Sequence, residues 1–279
     1  MRPKVSLVVL NWNGLDLTRN CLKFLKKNTN YGNLESIVID NGSTDGSYEK
    51  LKREFHWARH IRLSQNVGYC GGANTGFRKS RGKYVFIINN DVEVTKNWIA
   101  PIIEVMEHNN LIASASPIVL SPGESHKKPN IPYKVVLAPN GAATGYKKQI
   151  LNKIGLFDEK NFYPAYGEEN DWSYKAFNDG YMTVEVQNSI IYHKGSVTTK
   201  HEYGSDVSYI MCETHRLKAM LFNLPLVKLI KFVPGLSLIF IRSIVDGKLH
   251  LLFHAYLNLF KIFNKILKER KRRLSKIKR

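Results

Sequence analysis

Ile37-Val38-Ile39-Asp40-Asn41-Gly42-Ser43-Thr44-Asp45 joins a β-branched run to an acidic, amide-rich turn. A short apolar run bounded in this way reads as a strand buried on both faces, the kind found in parallel sheets. The arrangement recurs on either side. Val5–Leu10 leads into Asn11-Trp12-Asn13-Gly14, and Tyr84–Ile88 leads into Asn89-Asn90-Asp91. Helical spacing fills the gaps. Leu22 and Leu25 mark a helix over Leu17–Lys27 with Asp16 or Thr18 as its N-cap, and Tyr48, Leu51 and Phe55 share a face of one over Ser47–Phe55. This alternation predicts a mostly parallel sheet with helices on both faces. Open sheets of this class bind ligands in a crevice at the carboxyl ends of their strands. Carboxylates gathered there, in a chain of net charge +19, suggest a divalent cation and a phosphate-bearing substrate.

The alternation continues to about residue 120. A short strand is expected at His60–Leu63, then a glycine-rich segment, Gly68 to Gly76, that opens a helix. A helix over Asn97–His108 turns Trp98, Ile102 and Val105 inward, and a strand follows at Ile112–Val119. Residues 121–132, rich in Pro, Ser, Gly and Lys, read as an exposed loop. Beyond it come shorter strands at Val135–Leu137, Tyr181–Val186 and Ile190–His193, around a helix near Asp171–Asn178. From about residue 216 apolar segments are broken by Pro225, Pro234 and Gly235. Lys248–Lys268 then reads as an amphipathic helix with Leu252, Tyr256, Leu259, Phe263 and Ile266 on one face, followed by the cationic run Lys268 to Arg273. Two regions result: an α/β domain over 1–215 and a helical, basic extension over 216–279.

With 279 residues and 43% hydrophobic content, the chain is long and apolar enough for a full core. Its positive charge favours anionic partners. The three cysteines, Cys21, Cys70 and Cys212, are far apart and form no CxxC pair, which argues against a disulfide framework or a structural zinc site. The apolar run after Met1-Arg2-Pro3-Lys4 is too short for a signal peptide. No stretch reaches the roughly 18 apolar residues of a membrane-spanning helix.

The ordered set of motifs resembles family 2 glycosyltransferases of the GT-A fold. The resemblance begins with Val5 to Gly14 and Ile39 to Ser47, and continues through Asn66 to Gly76 and Asn89-Asn90-Asp91. It extends over Gly155-Leu156-Phe157-Asp158-Glu159 and Tyr166 to Trp172, and closes with Tyr192-His193-Lys194-Gly195-Ser196. It covers roughly residues 4–200. The most similar subgroup contains rhamnosyltransferases and galactofuranosyltransferases that act on lipid-linked glycans. The fold implied is a Rossmann-like, mostly parallel mixed sheet with flanking helices.

The resemblance assigns roles. Asn11, Asn13, Asp40, Gly42, Asn66, Gly68, Gly71, Asn74, Asn89 and Asn90 fall at donor-binding positions. Asp40 would accept the imide N–H of a pyrimidine base; from the residues alone it could equally cap the following turn, as Asp45 does. The glycine-rich segment lets backbone approach a nucleotide, or simply forms a tight turn. Asn89-Asn90-Asp91 stands where the family carries Asp-x-Asp, so Asp91 is its one carboxylate. Asp91 and His193 would hold Mn²⁺ or Mg²⁺, and an imidazole ligand suits Mn²⁺ better. Glu168-Glu169-Asn170-Asp171 matches the family's Glu-Asp-x-Asp. Glu169, or Glu168 beside it, would act as the catalytic base, and Asp171 would buttress the site or orient the acceptor. The same acidic run could otherwise be a helix start favoured by the helix dipole.

An inverting, metal-dependent transfer from a UDP- or dTDP-sugar to a lipid-linked or glycan acceptor follows from these roles. The amphipathic, polybasic C-terminus would seat the protein on an anionic membrane surface, at the cytoplasmic face, unless those helices pack on the α/β domain or on a second subunit. An oligomer is compatible with the sequence. A sugar nucleotidyltransferase would want a basic glycine-rich loop after the first strand, and Asn11-Trp12-Asn13-Gly14 has no basic residue. A nucleic-acid-binding protein would spread its cations in a stripe with stacking aromatics. Here they crowd one tail, so no nucleic-acid partner is expected.

Overall fold

The computed structural model describes residues 2–126, 130–195 and 197–275. Ser196, the end of the last motif, lies outside the described residues, as do 127–129 of the expected loop and 276–279 of the tail. The centre is a mixed sheet in the order β3-β2-β1-β4-β8-β6-β9-β5. Its strands are β1 (Val5–Asn11), β2 (Leu34–Asp40), β3 (Arg59–Arg62), β4 (Tyr84–Ile88), β5 (Val92–Val94), β6 (Ile112–Leu120), β7 (Tyr133–Val136), β8 (Ala143–Lys147) and β9 (Met182–His193). The first four run parallel to one another. β8 is antiparallel to both β4 and β6, and β7 is an off-path partner of β9.

Successive residues of a strand face opposite sides, and β1 feeds two cores. Val5, Leu7 and Val9 pack with Cys21, Leu22 and Leu25 of α1 (Leu15–Asn28), Leu51 of α2 (Ser47–Glu54), and Ile99, Ile102 and Met106 of α4 (Ile99–His108). Val8 faces the other layer. It belongs to one cluster with Ala73 and Phe77 of α3 (Gly68–Lys79), Leu151 of α5 (Lys148–Ile154), Trp172 of α6 (Glu168–Asn178) and Phe222 of α8 (Ser205–Asn223). Each such side chain contributes about 1.5–3 kcal/mol by leaving water.

Three elements carry too weak a pattern to be expected from the sequence. β5 has only three residues. β8 reads Ala-Thr-Gly-Tyr-Lys, whose small, polar composition lacks a strand signature although it is buried throughout. α5 begins directly at the end of β8. The two strands expected at 181–193 are one, with a register shift opposite Pro117/Ile118. The expected caps Asp16 and Thr18 are not caps. Gly14 precedes α1, Asp16 pairs with Arg19, and Thr18 donates to the Asn11 side chain. Asp45 does accept the Ser47 main-chain N–H at 3.0 Å, one residue ahead of the Gly46 N-cap.

Beyond α7 (Val197–Tyr203) the chain is helical: α8, α9 (Leu226–Ile230), α10 (Val233–Val245), α11 (Leu249–Lys261) and α12 (Phe263–Leu274). The expected boundary at 215/216 falls inside α8. The single amphipathic helix expected over 248–268 is broken at Ile262. Its face divides accordingly: Leu252, Leu259 and Ile266 are buried, whereas Tyr256 and Phe263 are exposed. No helix among the described residues is long and apolar enough to cross a membrane.

The segment between α5 and α6 is tied to α3 by Asn74. Its amide donates to the Phe157 carbonyl (3.0 Å) and to Glu159 (2.6 Å), and accepts the Phe157 N–H (3.0 Å). Asn74→Ala leaves buried main-chain groups unpaired, at a cost of about 1–3 kcal/mol. The urea midpoint should fall accordingly; an unchanged midpoint would show that the clamp is not needed.

Candidate active site

Strand register assembles the site. β1 pairs with β2 so that Asn11 lies opposite Asp40, and with β4 on its other side. The carboxyl ends of all three strands therefore share one edge of the sheet. The Asn11 amide donates to Asp40 (2.8 Å), Ser43 (3.1 Å) and Ser47 (2.9 Å), while its oxygen accepts from Thr18 (2.6 Å). Asp40 is fully buried. It also accepts the Ser43 N–H and faces Arg62 Nε at 3.6 Å. The neighbouring Asn41 reaches the cavity and binds Asn66 (3.0 Å) and the Gly68 carbonyl (3.1 Å).

A cleft opens along this edge. One cavity is lined by Asn11, Trp12, Asn41, Asn66, Gly68, Tyr69, Asn89, Asn90, Asp91, Pro164 and Ala165, and by Val197, Thr198, Thr199 and Tyr203 from α7. The adjoining cavity is lined by Asn140, Gly141, Tyr166, Glu168, Glu169, Asn170, His193, Cys212 and Arg216. Tyr69, Asn89, Ala165 and Thr199 belong to both. Asp91 and Glu169 thus stand in neighbouring chambers of one cleft.

Asp91 is brought to His193 by the antiparallel pairing of β5 with β9, in which Val92 faces His193. His193 Nε2 lies 3.0 Å from Asp91 Oδ1. Among the described residues it is nevertheless buried without a hydrogen-bond partner, so the contact is close but not aligned as a hydrogen bond. Two lone-pair donors meeting on a common cation would adopt that relation, and these residues fit a divalent metal. Among the described residues no group of three or more His, Cys, Asp or Glu side chains surrounds this point. Asn89 and Asn90 are neutral neighbours: Asn89 accepts from the Tyr69 hydroxyl (3.1 Å), and Asn90 donates to Thr18 (3.1 Å).

Glu168 and Glu169 open α6 behind Gly167, whose φ is +83°. Both carboxyl groups are buried. Burial pushes Glu168 well above the usual carboxylate range, reinforced by the adjacent Glu169 charge. Burial also raises Glu169, but hydrogen bonds from Glu168, its own N–H and Tyr69 oppose the rise. Two like charges cannot share such a pocket cheaply, so the pair favours holding one proton between them. Gly141 makes room for it: a Cβ there would lie 2.5 Å from Glu169 Oε1.

Several expected site residues lie outside the cleft lining. Asp40, Asn13, Gly42, Gly71 and Asn74 do not line the cleft. Asn13 binds the Ser43 hydroxyl and the Thr44 N–H. Gly42, at φ +74°, would drive a Cβ to 2.4 Å from the Gln65 carbonyl carbon. Asp171 turns away from both cavities to Asn223, Lys175 and Arg273. Conversely, Tyr69, Gly141, Tyr203, Cys212 and Arg216 line the cleft although the sequence analysis gives them no role there. Asn140-Gly141 is a turn signal that could have drawn attention to Gly141; the others depend on tertiary contacts.

The glycosyl transferase family 2 profile matches residues 6–169, and the chain belongs to that family. It is 31% identical over 99 residues to glycosyltransferase GlyA of Streptococcus pneumoniae serotype 4, covering 34% of this chain and 14% of that protein. It is 36% identical over 93 residues to the uncharacterised glycosyltransferase YibD of Escherichia coli K12, covering 33% and 27%. The matched stretches thus span less than a third of these curated relatives. Among solved structures, the mannosyltransferase PcManGT from Pyrobaculum calidifontis, in complex with GDP-Man and Mn²⁺, superposes with a TM-score of 0.64 at 17% identity, covering 95% of this chain and 76% of that one. GalNAc-T7 with UDP, GalNAc and Mn²⁺ gives 0.63 at 17% identity, covering 78% and 47%. The fold is GT-A-like, as the sequence motifs implied.

The shared proton has a consequence for stability. A carboxyl group whose folded pKa is raised favours folding below its unfolded pKa and loses that contribution as pH climbs through the folded value. Glu168→Gln should therefore raise the melting temperature at pH 7–8, by about 2–4 °C per kcal/mol recovered, with the gain vanishing near pH 4. A gain that persists at pH 4 would contradict the assignment.

Proposed function

We propose that this protein is a metal-dependent, inverting glycosyltransferase that moves a sugar from a nucleoside diphosphate donor to an acceptor hydroxyl. The observation that carries the reading is the single cleft in which Asp91 lines one chamber and the buried Glu168–Glu169 pair the next, with His193 reaching Asp91 from the second chamber. The donor would lie along the first chamber, with its diphosphate near Asp91. Asn41, Asn66 and the Gly68 backbone would meet the nucleoside. Asp40, bonded to Asn11 and Arg62, would act on the base through this hydrogen-bonded floor.

Asp91 and His193 would hold the cation, Mn²⁺ or Mg²⁺, which when bound supplies Lewis-acid neutralisation of the departing diphosphate. Glu169 takes the proton from the acceptor hydroxyl as that oxygen attacks the anomeric carbon. Glu169 is favoured over Glu168 because it stands at the position of the family's catalytic acid and its carboxylate faces Gly141. Tyr69 orients Glu169 from the donor side, and Gly141 leaves its carboxylate room. One base facing one leaving group gives inversion in a single displacement, by the geometry that serves inverting hydrolases.

The ordered motifs alone support rhamnose or galactofuranose as the sugar, carried on UDP or dTDP, and a lipid-linked glycan as the acceptor. The membrane reading gains support from α10–α12. Leu251, Leu252, Ala255 and Leu259 bury one face of α11, while Phe253, Tyr256, Leu257 and Phe260 leave a second apolar face exposed. α10 exposes Leu238, Phe240, Ile241, Ile244 and Val245. Apolar side chains flanked by lysines suit the interface of an anionic bilayer. The 216–279 region would then be both packing partner and membrane contact.

Glu169→Gln should reduce transfer by at least about 100-fold, the scale of lost general-base catalysis, while calorimetric affinity for UDP or dTDP stays within a factor of two or so. Asp91→Ala should abolish the Mn²⁺-dependent part of that affinity; Mn²⁺-enhanced binding retained in Asp91→Ala rules out its metal role. Phe253→Glu/Phe260→Glu should release the protein from phosphatidylserine-containing liposomes in flotation assays. Equal flotation of this variant and wild type would exclude the membrane contact, and a loss of dimer instead would assign the face to a second copy.

A further inference from the structure

The cationic C-terminal run ends on an arginine that is not a surface charge. Arg273 has 9% of its side chain exposed. Its Nη2 lies 2.6 Å from Asp158, its Nε 2.8 Å from Glu269, and its Nη1 bonds Asp171 and, at 3.2 Å, the Asn223 amide oxygen. The guanidinium stacks 4.6 Å above the Phe222 ring. Planar forks of this kind satisfy several carboxylates at once, which an ammonium cannot do.

The acids it joins lie outside the cleft, on two segments that border its two chambers. Asp171 lies in the first turn of α6, the turn that presents Glu168 and Glu169. Its other carboxylate oxygen faces Lys175 at 2.8 Å. Asp158 follows Phe157, which Asn74 fixes to α3 in both directions, and α3 begins with Gly68 and Tyr69 at the donor chamber. One side chain from the far end of the chain therefore ties the donor-side segment to the acid-bearing helix. Nearby, Arg270 donates to the Leu221 carbonyl at 2.6 Å, so α12 is attached at two levels.

We propose that Arg273 is a positioning residue for glycosyl transfer, setting the first turn of α6 against the donor chamber by holding Asp158 and Asp171 together. The proposal rests on the reading of Glu169 as the base. Asp171 is fully buried. Without Arg273 it keeps only Lys175 and Asn223, and Asp158 keeps Asn161; weakening a buried charge cluster in this way makes α6 shift or admit water. Displacement of a reacting group by about 1 Å costs on the order of 100-fold in rate.

The test compares Arg273→Met, which keeps the stem over Phe222 but loses the fork, with Arg273→Lys and with Lys271→Met, an exposed neighbour. Arg273→Met should lower kcat by about 10–100-fold, on the scale expected for a displaced catalytic group, with the donor KM little changed and a native circular dichroism spectrum. Arg273→Lys should lie between it and wild type, and Lys271→Met should match wild type. Combining Arg273→Met with Asp171→Asn should lower kcat no further than the worse single change, because both act through one contact. Wild-type kcat in Arg273→Met overturns the proposal, as does additive loss in the double variant. If Arg273→Met fails to fold, Arg273→Lys is decisive, and full kcat in it overturns the proposal too. A Glu169→Gln enzyme that still transfers sugar would defeat the base assignment instead, an outcome the Arg273 variants cannot mimic.

Discussion

The register of one strand governs this molecule. β1 lies between β2 and β4, parallel to both, so three turns rich in Asn, Asp and Ser emerge side by side. Side chains that would be solvated in isolated loops are then forced to satisfy one another. Asn11 does this for Asp40, Ser43, Ser47 and Thr18. A shift of one residue in β1 would move Val5, Leu7 and Val9 to the opposite core and dissolve that network. The first chamber of the cleft is what remains open above it.

Electrostatics divides the cleft into two chambers of different character. Around Asp91 the neighbours are amides and an imidazole, which leaves one carboxylate to meet a cation. Around Glu169 the neighbours are a second buried carboxyl group, a tyrosine and the bare backbone of Gly141. The first surroundings are neutral and polar, and the second press two acids together. Burial accomplishes both, since exposed carboxylates at the same positions would be screened by water.

Much of this was legible from residue patterns. Apolar runs followed by acidic turns located β1, β2 and β4, and the motifs carrying Asp91, His193 and Glu168-Glu169 do meet along one cleft. What stayed hidden depends on partners distant in sequence. β8 carries Gly145 and Thr144 where a strand pattern wants bulk, because the Phe86 ring occupies the space over Gly145. Asn74 stands in a glycine-rich segment that suggested a nucleotide, yet its amide is consumed by Phe157 and Glu159. Asp171 shares a motif with Glu169 but sits two residues on, and so faces away from the cleft around the helix. The cationic tail reads as a membrane contact, whereas Asp158 and the buried Asp171 draw Arg273 inward.

α11 is apolar on two sides, and the other described residues cover one of them. In plain aqueous buffer the uncovered side has no favourable neighbour, and contiguous greasy surface of this sort drives molecules together. Handling properties should therefore track the C-terminal helices more than the enzyme core: yield, monodispersity and crystal quality would respond to mild detergent or lipid nanodiscs. A chain cut short to improve solubility would also discard the arginine that braces the acidic helix, so a well-behaved fragment need not be an active one.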